Sequence, residues 1–98
     1  MKKEAAYPVI LKPESDGSYF VVIPDFDAAT QGESVADAMR MARDLIGIAS
    51  LSMRDHGEEI PEPYSVNPET EIEDGDIFTL VDIDFEKYER ELAAMLSE

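Results

Sequence analysis

Residues 16–33, DGSYFVVIPDFDAATQGE, decide the fold of this chain. Asp16-Gly17 is a turn signal, because both residues tolerate a positive φ. The apolar run over 18–23 predicts a central strand that is covered on both faces, and Pro24 ends it. Residues 30–32 then predict a third, very short strand or an extended turn just before a helix.

A long amphipathic helix follows this stretch. Ser34 predicts its N-cap, with Asp37 at the capping-box spacing, and Gly57 predicts its end. The apolar residues with the three-and-four spacing of one buried face are Val35, Ala38, Met39, Ala42, Leu45, Ile46, Ala49 and Met53. A second apolar line fits either a well-buried helix or packing against a second subunit. Its members are Met41, Ile48 and Leu51.

The segments on either side complete a β-β-β-α-β-α order. Residues 5–12 and 77–83 alternate along the chain in the way that predicts two further strands. Residues 57–76 contain three prolines, eight acidic residues and no basic one, which predicts an extended acidic connection. Asp84 predicts the N-cap of a final helix. The apolar stripe of that helix is Phe85, Tyr88, Leu92 and Met95 or Leu96.

This order predicts an α+β fold, in which one long helix covers one face of a mainly antiparallel sheet of three to four strands. The other face of the sheet needs cover as well, because the second strand is too apolar for a solvated surface. We expect the final helix, a second copy of the chain or a partner to lie there.

Composition and charge limit the classes of function. The chain has 98 residues and no cysteine, so we expect one domain without disulfides or thiolate metal sites. The sequence has no signal-peptide pattern and no apolar run long enough for a membrane span, which predicts a soluble cytoplasmic protein. Eight basic against 23 acidic residues give a net charge of −15. That charge repels phosphate, so we expect no direct nucleic-acid binding and favour a basic protein partner.

The candidates for catalytic chemistry are weak. Three Asp-x-Asp pairs, at residues 25/27, 74/76 and 82/84, have the pattern of a two-metal nuclease, but turns, caps and the acidic composition account for them. His56, the one histidine, is expected at a helix end, where the helix dipole favours a cation. The sequence contains no phosphate loop, zinc spacing or cofactor fingerprint. We therefore expect no catalytic residue, metal or cofactor, and keep a metal-dependent nuclease only as an alternative.

Several short motifs occur together in one order along the chain. They are Tyr7-Pro8-Val9-Ile10, Asp16-Gly17-Ser18-Tyr19, Pro24-Asp25-Phe26, Gln31-Gly32-Glu33, the Ala-rich helix, Gly57-Glu58-Glu59-Ile60-Pro61-Glu62-Pro63 and Val81-Asp82-Ile83-Asp84-Phe85-Glu86-Lys87-Tyr88. As an ordered set they resemble the HicB-like antitoxins, and the resemblance covers most of the chain. It implies a partial RNase H-like domain over residues 1–84, followed by a C-terminal helix over 85–98.

The resemblance also implies a function. HicB-like antitoxins of type II toxin-antitoxin pairs bind and occlude HicA-like toxins, which are small basic mRNA interferases. An orphan binding module that has this fold but no toxin is the alternative. Two features depart from the family pattern. Asp27-Ala28-Ala29 stands where many relatives have a Pro-Gly-Cys-like step, and about fourteen residues follow Asp84, so we expect the usual C-terminal DNA-binding module to be lacking.

The loop between the second strand and the long helix is the expected toxin-binding site, because a break between two elements exposes side chains. The predicted toxin-binding residues are Tyr19, Asp25, Phe26, Asp27, Gln31, Gly32 and Glu33. Three of them have local alternatives: core packing for Phe26, a turn for Asp25 and backbone freedom for Gly32. From the second apolar line of the helix we also expect a homodimer or a higher oligomer.

Overall fold

One antiparallel sheet and two helices make up the fold. The computed structural model describes residues 3–97. Its elements are β1 (Glu4–Pro13), β2 (Tyr19–Ile23), β3 (Ala28–Gly32), α1 (Val35–Asp55), β4 (Ile77–Asp84) and α2 (Phe85–Leu96), with short 3₁₀ turns at Pro24–Phe26 and Pro68–Glu71. The strands lie in the order β3-β2-β1-β4, and every neighbouring pair is antiparallel. The predicted α+β class and element order are confirmed, with four strands in the sheet. No helix among residues 3–97 combines the length and apolarity that crossing a bilayer requires.

One face of the sheet packs against α1. Alternate residues of each strand point to that face, and α1 presents small side chains that let the helix axis approach the sheet closely. The buried residues that form this core are Tyr7, Val9, Leu11, Val21, Ile23, Ala38, Ala42, Ile46, Val81, Ile83 and Phe85.

Both ends of α1 are capped where the sequence predicts. The Ser34 hydroxyl accepts a hydrogen bond from the Asp37 N–H at 3.0 Å, and the Asp37 carboxylate accepts one from the Glu33 N–H at 2.9 Å. At the other end, Gly57 has a φ of 71°. Its N–H and that of the next residue bond to carbonyls near the end of the helix, as in a Schellman motif.

The buried face of α1 differs from the predicted stripe at both ends. Val35, which was expected in the core, is 38% exposed, whereas Leu51 is buried. The cause at the C-terminal end is α2, which packs against α1. The Tyr88 ring lies so close to Gly47 that a Cβ there would be 2.6 Å from it. Leu51, one of the three residues in the second apolar line of α1, is therefore part of the interior, whereas Met41 and Ile48 are exposed.

The opposite face of the sheet, called the outer face below, is covered by the connection 57–76. Ile10 on this face is fully buried although it lies outside the core under α1. Pro68 of the connection is buried, and the Lys12 ammonium donates a hydrogen bond to the Glu71 carbonyl at 2.7 Å. The expectation that the final helix, a second copy or a partner covers this face is therefore wrong at its centre. The chain has to return along the sheet from the end of α1 to the start of β4, and that return covers β1.

Cover of the outer face is incomplete beside β1. As predicted, β2 is central, because it lies between β3 and β1. Its Phe20 nevertheless keeps 38% of its surface exposed. The expectation that both faces of β2 are covered is thus met only in part, because the connection follows β1.

Candidate functional site

The β2–β3 hairpin divides the predicted toxin-binding residues into two groups. Tyr19 pairs with Gly32, and Ile23 pairs with Ala28 at the other end of the ladder. One group, with Tyr19, therefore lies at the end of the hairpin next to α1. The other group, residues 25–27, lies at the opposite end, about 13 Å away at roughly 3.3 Å per residue. A single compact patch of all seven residues does not form.

Asp25 is buried and holds the connection 57–76 in place. Its carboxylate accepts hydrogen bonds from the Tyr64 N–H at 3.0 Å, the Ser65 hydroxyl at 3.1 Å and the Val66 N–H at 3.0 Å. Both carboxylate oxygens accept hydrogen bonds within the chain, and the residue is only 8% exposed. Asp25 therefore holds residues 64–66 against the hairpin end.

The next two residues differ sharply in accessibility. The Phe26 ring packs edge-on against the Tyr7 ring, with centroids 4.9 Å apart, so its local alternative of core packing describes it well. Asp27 is exposed and has a φ of 47°, which Asp tolerates better than most residues. Of the three residues at this end, Asp25 is buried, Phe26 is partly buried and Asp27 is exposed.

At the other end of the hairpin, Gly32 has a packing role. A Cβ at Gly32 would be 2.4 Å from the Ala38 Cα, so the glycine permits β3 to lie against α1. Backbone freedom, the predicted alternative, is not the reason, since Gly32 is not among the residues with positive φ. Tyr19 is half-buried against the core. Gln31 and Glu33 are exposed.

A cleft lined by Tyr7, whose ring contacts Phe26, was missed by the prediction. It has a volume of about 610 Å³ and lies between the start of β1, the end of α1 and the start of α2. We call it the acidic cleft. Its apolar lining is Ala5, Tyr7, Ile60, Pro61 and Phe85, and its acidic residues are Glu58, Glu59 and Glu62. The motif over 57–63 was visible in the sequence, but its folding against β1 was not.

Tyr7 links the acidic cleft to the hairpin end with Asp27. Its hydroxyl donates a hydrogen bond to the Pro61 carbonyl at 2.7 Å, while its ring contacts Phe26. Burial, together with the nearby carboxylates of Glu62 and Asp25, raises the pKa of Tyr7 to about 12. The phenol therefore stays neutral at physiological pH and acts as a fixed wall of the cleft.

The cations of the chain are largely neutralised by its own carboxylates. Arg54, which lines the acidic cleft, donates two hydrogen bonds to the Glu89 carboxylate at 2.9 and 2.8 Å. Further ion pairs join Lys12 to Glu73 and Asp76, Arg40 to Asp37, Arg43 to Asp82 and Lys87 to Glu91. With 23 acidic residues against eight basic ones, the excess negative charge remains at the surface.

Four of the six carboxylates in the three Asp-x-Asp pairs have structural roles, including the buried Asp25. Asp76 and Asp82 face cations, and hydrogen bonds from Lys12 and Arg43 hold the pKa of each carboxyl below its usual range. Asp84 caps α2 by accepting from the Lys87 N–H at 3.0 Å. Within residues 3–97, no three or more His, Cys, Asp or Glu side chains come together as a metal site would require.

Comparison with known proteins identifies relatives in sequence and in fold. The family model described as the HicB-like antitoxin of bacterial toxin-antitoxin systems matches residues 7–95. "Antitoxin HicB 1" of Photorhabdus laumondii subsp. laumondii is 40% identical over 65 residues, which are 65% of this chain and 42% of that protein. The match thus spans less than half the length of that relative.

Two solved structures share the architecture. A chain of the "Toxin-Antitoxin complex from Streptococcus pneumoniae" superposes with a TM-score of 0.70 at 27% identity, over 87% of this chain and 72% of that one. The N-terminal domain of the Burkholderia pseudomallei antitoxin HicB superposes with a TM-score of 0.67 at 23% identity, over 81% of this chain and 98% of that one. The second likeness concerns the fold alone.

Proposed function

We propose a function for this chain from its family, since the chain belongs to the HicB-like antitoxins of bacterial toxin-antitoxin systems. It binds a HicA-like mRNA interferase and silences it by covering the active site. The pair acts in the cytoplasm, where the mRNA substrate is translated. This chain contacts protein and not nucleic acid, because its charge of −15 opposes contact with phosphates. We also expect it to act as a homodimer or a higher oligomer.

The observation that carries the proposal is the acidic surface of a family member whose cations are mostly paired internally. A toxin that binds RNA needs a basic face, since phosphate contacts come from Lys and Arg. An acidic protein approaches such a face faster through long-range attraction and competes directly with RNA for it. Occlusion is therefore both steric and electrostatic.

The acidic cleft, together with the exposed Asp27 that follows Phe26, is the surface we assign to the toxin. Binding energy at protein interfaces is concentrated where an anchor side chain fills a desolvated pocket. The cleft has an apolar lining with Tyr7 and Phe85 and exposed carboxylates of Glu58 and Glu59 at its border. That combination suits an arginine, whose guanidinium stacks on rings and pairs with carboxylates.

The sequence-predicted residues take different parts in this proposal. Asp27 contacts the toxin directly. Asp25 and Phe26 support the loop and the cleft wall from behind, as their hydrogen bonds and ring contact suggest. The group at the far end, with Gln31 and Glu33, stays a secondary prediction, since it offers exposed polar side chains but no cleft.

The test is co-expression with the product of the neighbouring small basic gene, followed by purification through a tag on this chain alone. A stable complex without RNase activity, whose activity returns when this chain is removed, supports the proposal. A toxin that stays active, or one that does not co-purify, contradicts it and leaves an orphan module of this fold.

Two variants with the same change of charge decide which end of the hairpin meets the toxin. The first carries Asp27→Asn and Glu59→Gln. The second carries Glu14→Gln and Glu33→Gln at the other end, where Glu14 follows Pro13, the partner of Tyr19 in β1. We expect the first to slow association with the toxin by about threefold to tenfold at low salt, and the second by less than about twofold, because local charges steer docking. The reverse order would place the toxin at the end with Gln31.

A further inference from the structure

The outer edge of the sheet at β4 is open. In the sheet β4 pairs with β1 alone, so one side of its backbone has no strand partner among residues 3–97. The strand is eight residues long. An exposed apolar edge is a template for another strand unless charged side chains, bulges or a covering element block it.

The even-numbered residues of β4 direct their backbone groups away from β1. Two contacts fix this orientation. The Phe85 N–H bonds to the Lys3 carbonyl, on the β1 side, at 2.9 Å, whereas the Asp82 carbonyl accepts from Arg43 Nε of α1 at 2.7 Å. Because alternate residues of an antiparallel strand face the same side, the other even-numbered residues of β4 also face outward.

Phe78 and Leu80 form the open part of this edge. Their partners in β1 are Ile10 and Pro8, so their side chains lie on the outer face, and they are 42% and 47% exposed. The Leu80 carbonyl is 3.4 Å from the hydroxyl of its neighbour Thr79, which is at the weak limit for a hydrogen bond. These two residues thus combine outward backbone groups with exposed apolar side chains.

Ion pairs lie at both ends of this edge. The Lys12 ammonium lies 2.6 Å from the Asp76 carboxylate just before β4, and the Arg43 guanidinium lies 3.0 Å from the Asp82 carboxylate near its end. Lys12 also contacts the Glu73 carboxylate at 3.1 Å, so each end of the apolar edge presents a cation beside carboxylates of the same chain. A basic partner gains little steering here. A second copy presents the same two apolar side chains, and the cation at each end of its edge can pair with a carboxylate at the facing end of the first copy.

We propose that β4 is a dimerisation strand, which pairs with β4 of a second copy of the chain. An antiparallel pairing about a two-fold axis at Thr79 places Phe78 opposite Leu80 of the partner subunit, and symmetry repeats the pair. Each pair exchanges two backbone hydrogen bonds, so the outward groups of both residues are satisfied. The two sheets become continuous, and the four apolar side chains meet on the outer face.

The register of this pairing follows from Arg43. An axis at Leu80 would place Phe78 opposite Asp82 of the partner subunit, and would need the Asp82 carbonyl that Arg43 already occupies. An axis at Thr79 leaves that contact intact. Arg43 thereby limits how far the edge can pair and disfavours the register centred on Leu80.

The test is sedimentation velocity on the full chain and on two matched variants, L80K and I48K. Leu80 and Ile48 are 47% and 48% exposed, and each variant adds one positive charge. We expect a dimer for the unchanged chain over about 1–100 μM. We expect L80K to be monomeric and I48K to remain dimeric. Circular dichroism and urea unfolding check that both variants are folded.

Ionic strength gives an independent readout. Two copies of charge −15 repel each other, so added salt should strengthen the dimer while it weakens binding of a basic toxin. A monomeric chain at about 100 μM and high salt would overturn the inference, as would an I48K variant that dissociates while L80K stays dimeric. Loss of toxin binding in L80K without loss of the dimer would assign this edge to the toxin instead. The sedimentation outcomes for the dimer do not depend on whether the chain silences a toxin.

Discussion

Asp25→Asn separates a structural role from a toxin-binding role at the centre of the predicted site. Asparagine keeps the shape of the side chain but replaces one carboxylate oxygen by an NH₂ group and removes the charge. One oxygen of Asp25 serves Ser65 and Val66, and the other serves the Tyr64 N–H. The best placement of the amide keeps the first two bonds and puts a donor against the N–H of Tyr64.

The magnitude follows from those three contacts. A hydrogen bond to a charged group contributes about 1.5–3 kcal/mol, and a buried donor left without a partner costs about 1–3 kcal/mol. The hydrogen bonds that remain are then made to a neutral amide oxygen and are weaker. We therefore expect the free energy of unfolding to fall by about 2–4 kcal/mol. At a urea slope of about 1.5 kcal/mol/M, the midpoint falls by about 2 M.

Urea unfolding and amide hydrogen exchange measure this effect together. We expect faster exchange at the amides of Tyr64 and Val66, because the connection loses its anchor. The matched control is Asp27→Asn, two residues away and exposed, for which we expect a change of less than about 0.5 kcal/mol. If Asp25→Asn changed neither stability nor exchange but weakened toxin binding, Asp25 would be a contact residue and the reasoning would be refuted.

Three other predictions concern packing and pH. Gly32→Ala forces a Cβ against Ala38, so we expect a loss of about 1–3 kcal/mol in urea unfolding; unchanged stability would contradict the close approach. The pKa of Tyr7 is raised from 10.0 to about 12, mainly by burial. The contribution of Tyr7 to the free energy of unfolding is therefore complete below pH 10 and is lost as the pH rises from there to about 12. Ultraviolet titration of the protein, compared with that of the Tyr7→Phe variant, checks this. The hydrogen bond from Lys12 lowers the pKa of Asp76, so this pair stabilises the fold above the ordinary carboxyl pKa and is lost on acidification below it. Carboxyl NMR should show a higher pKa for Asp76 in Lys12→Gln, and an unchanged value would rule the pair out.

The sequence predicted the features of this fold that depend on neighbouring residues. The cap at Ser34, the end of α1 at Gly57 and the cap at Asp84 are confirmed. Such signals are local, because each is a hydrogen bond or a backbone conformation within a few residues. The strands were found for the same reason, since alternation along the chain reflects which side chains face the core.

Features that depend on contacts between distant residues were missed. The three donors to Asp25 lie 39 to 41 residues further along the chain, so its position after a strand gave no sign of its burial. The register that pairs Tyr19 with Gly32 divides the predicted site into two groups. The acidic cleft forms because the connection after α1 folds back past Tyr7. Composition identified the charge of that connection but not the face that it covers.

Amide hydrogen exchange of this chain, measured with and without the HicA-like toxin that we propose as its partner, tests the central claim most directly. The account predicts slower exchange over residues 24–27 and 57–62, around the acidic cleft, in a complex that has no RNase activity. Unchanged exchange throughout the chain, or protection confined to β4, would contradict it.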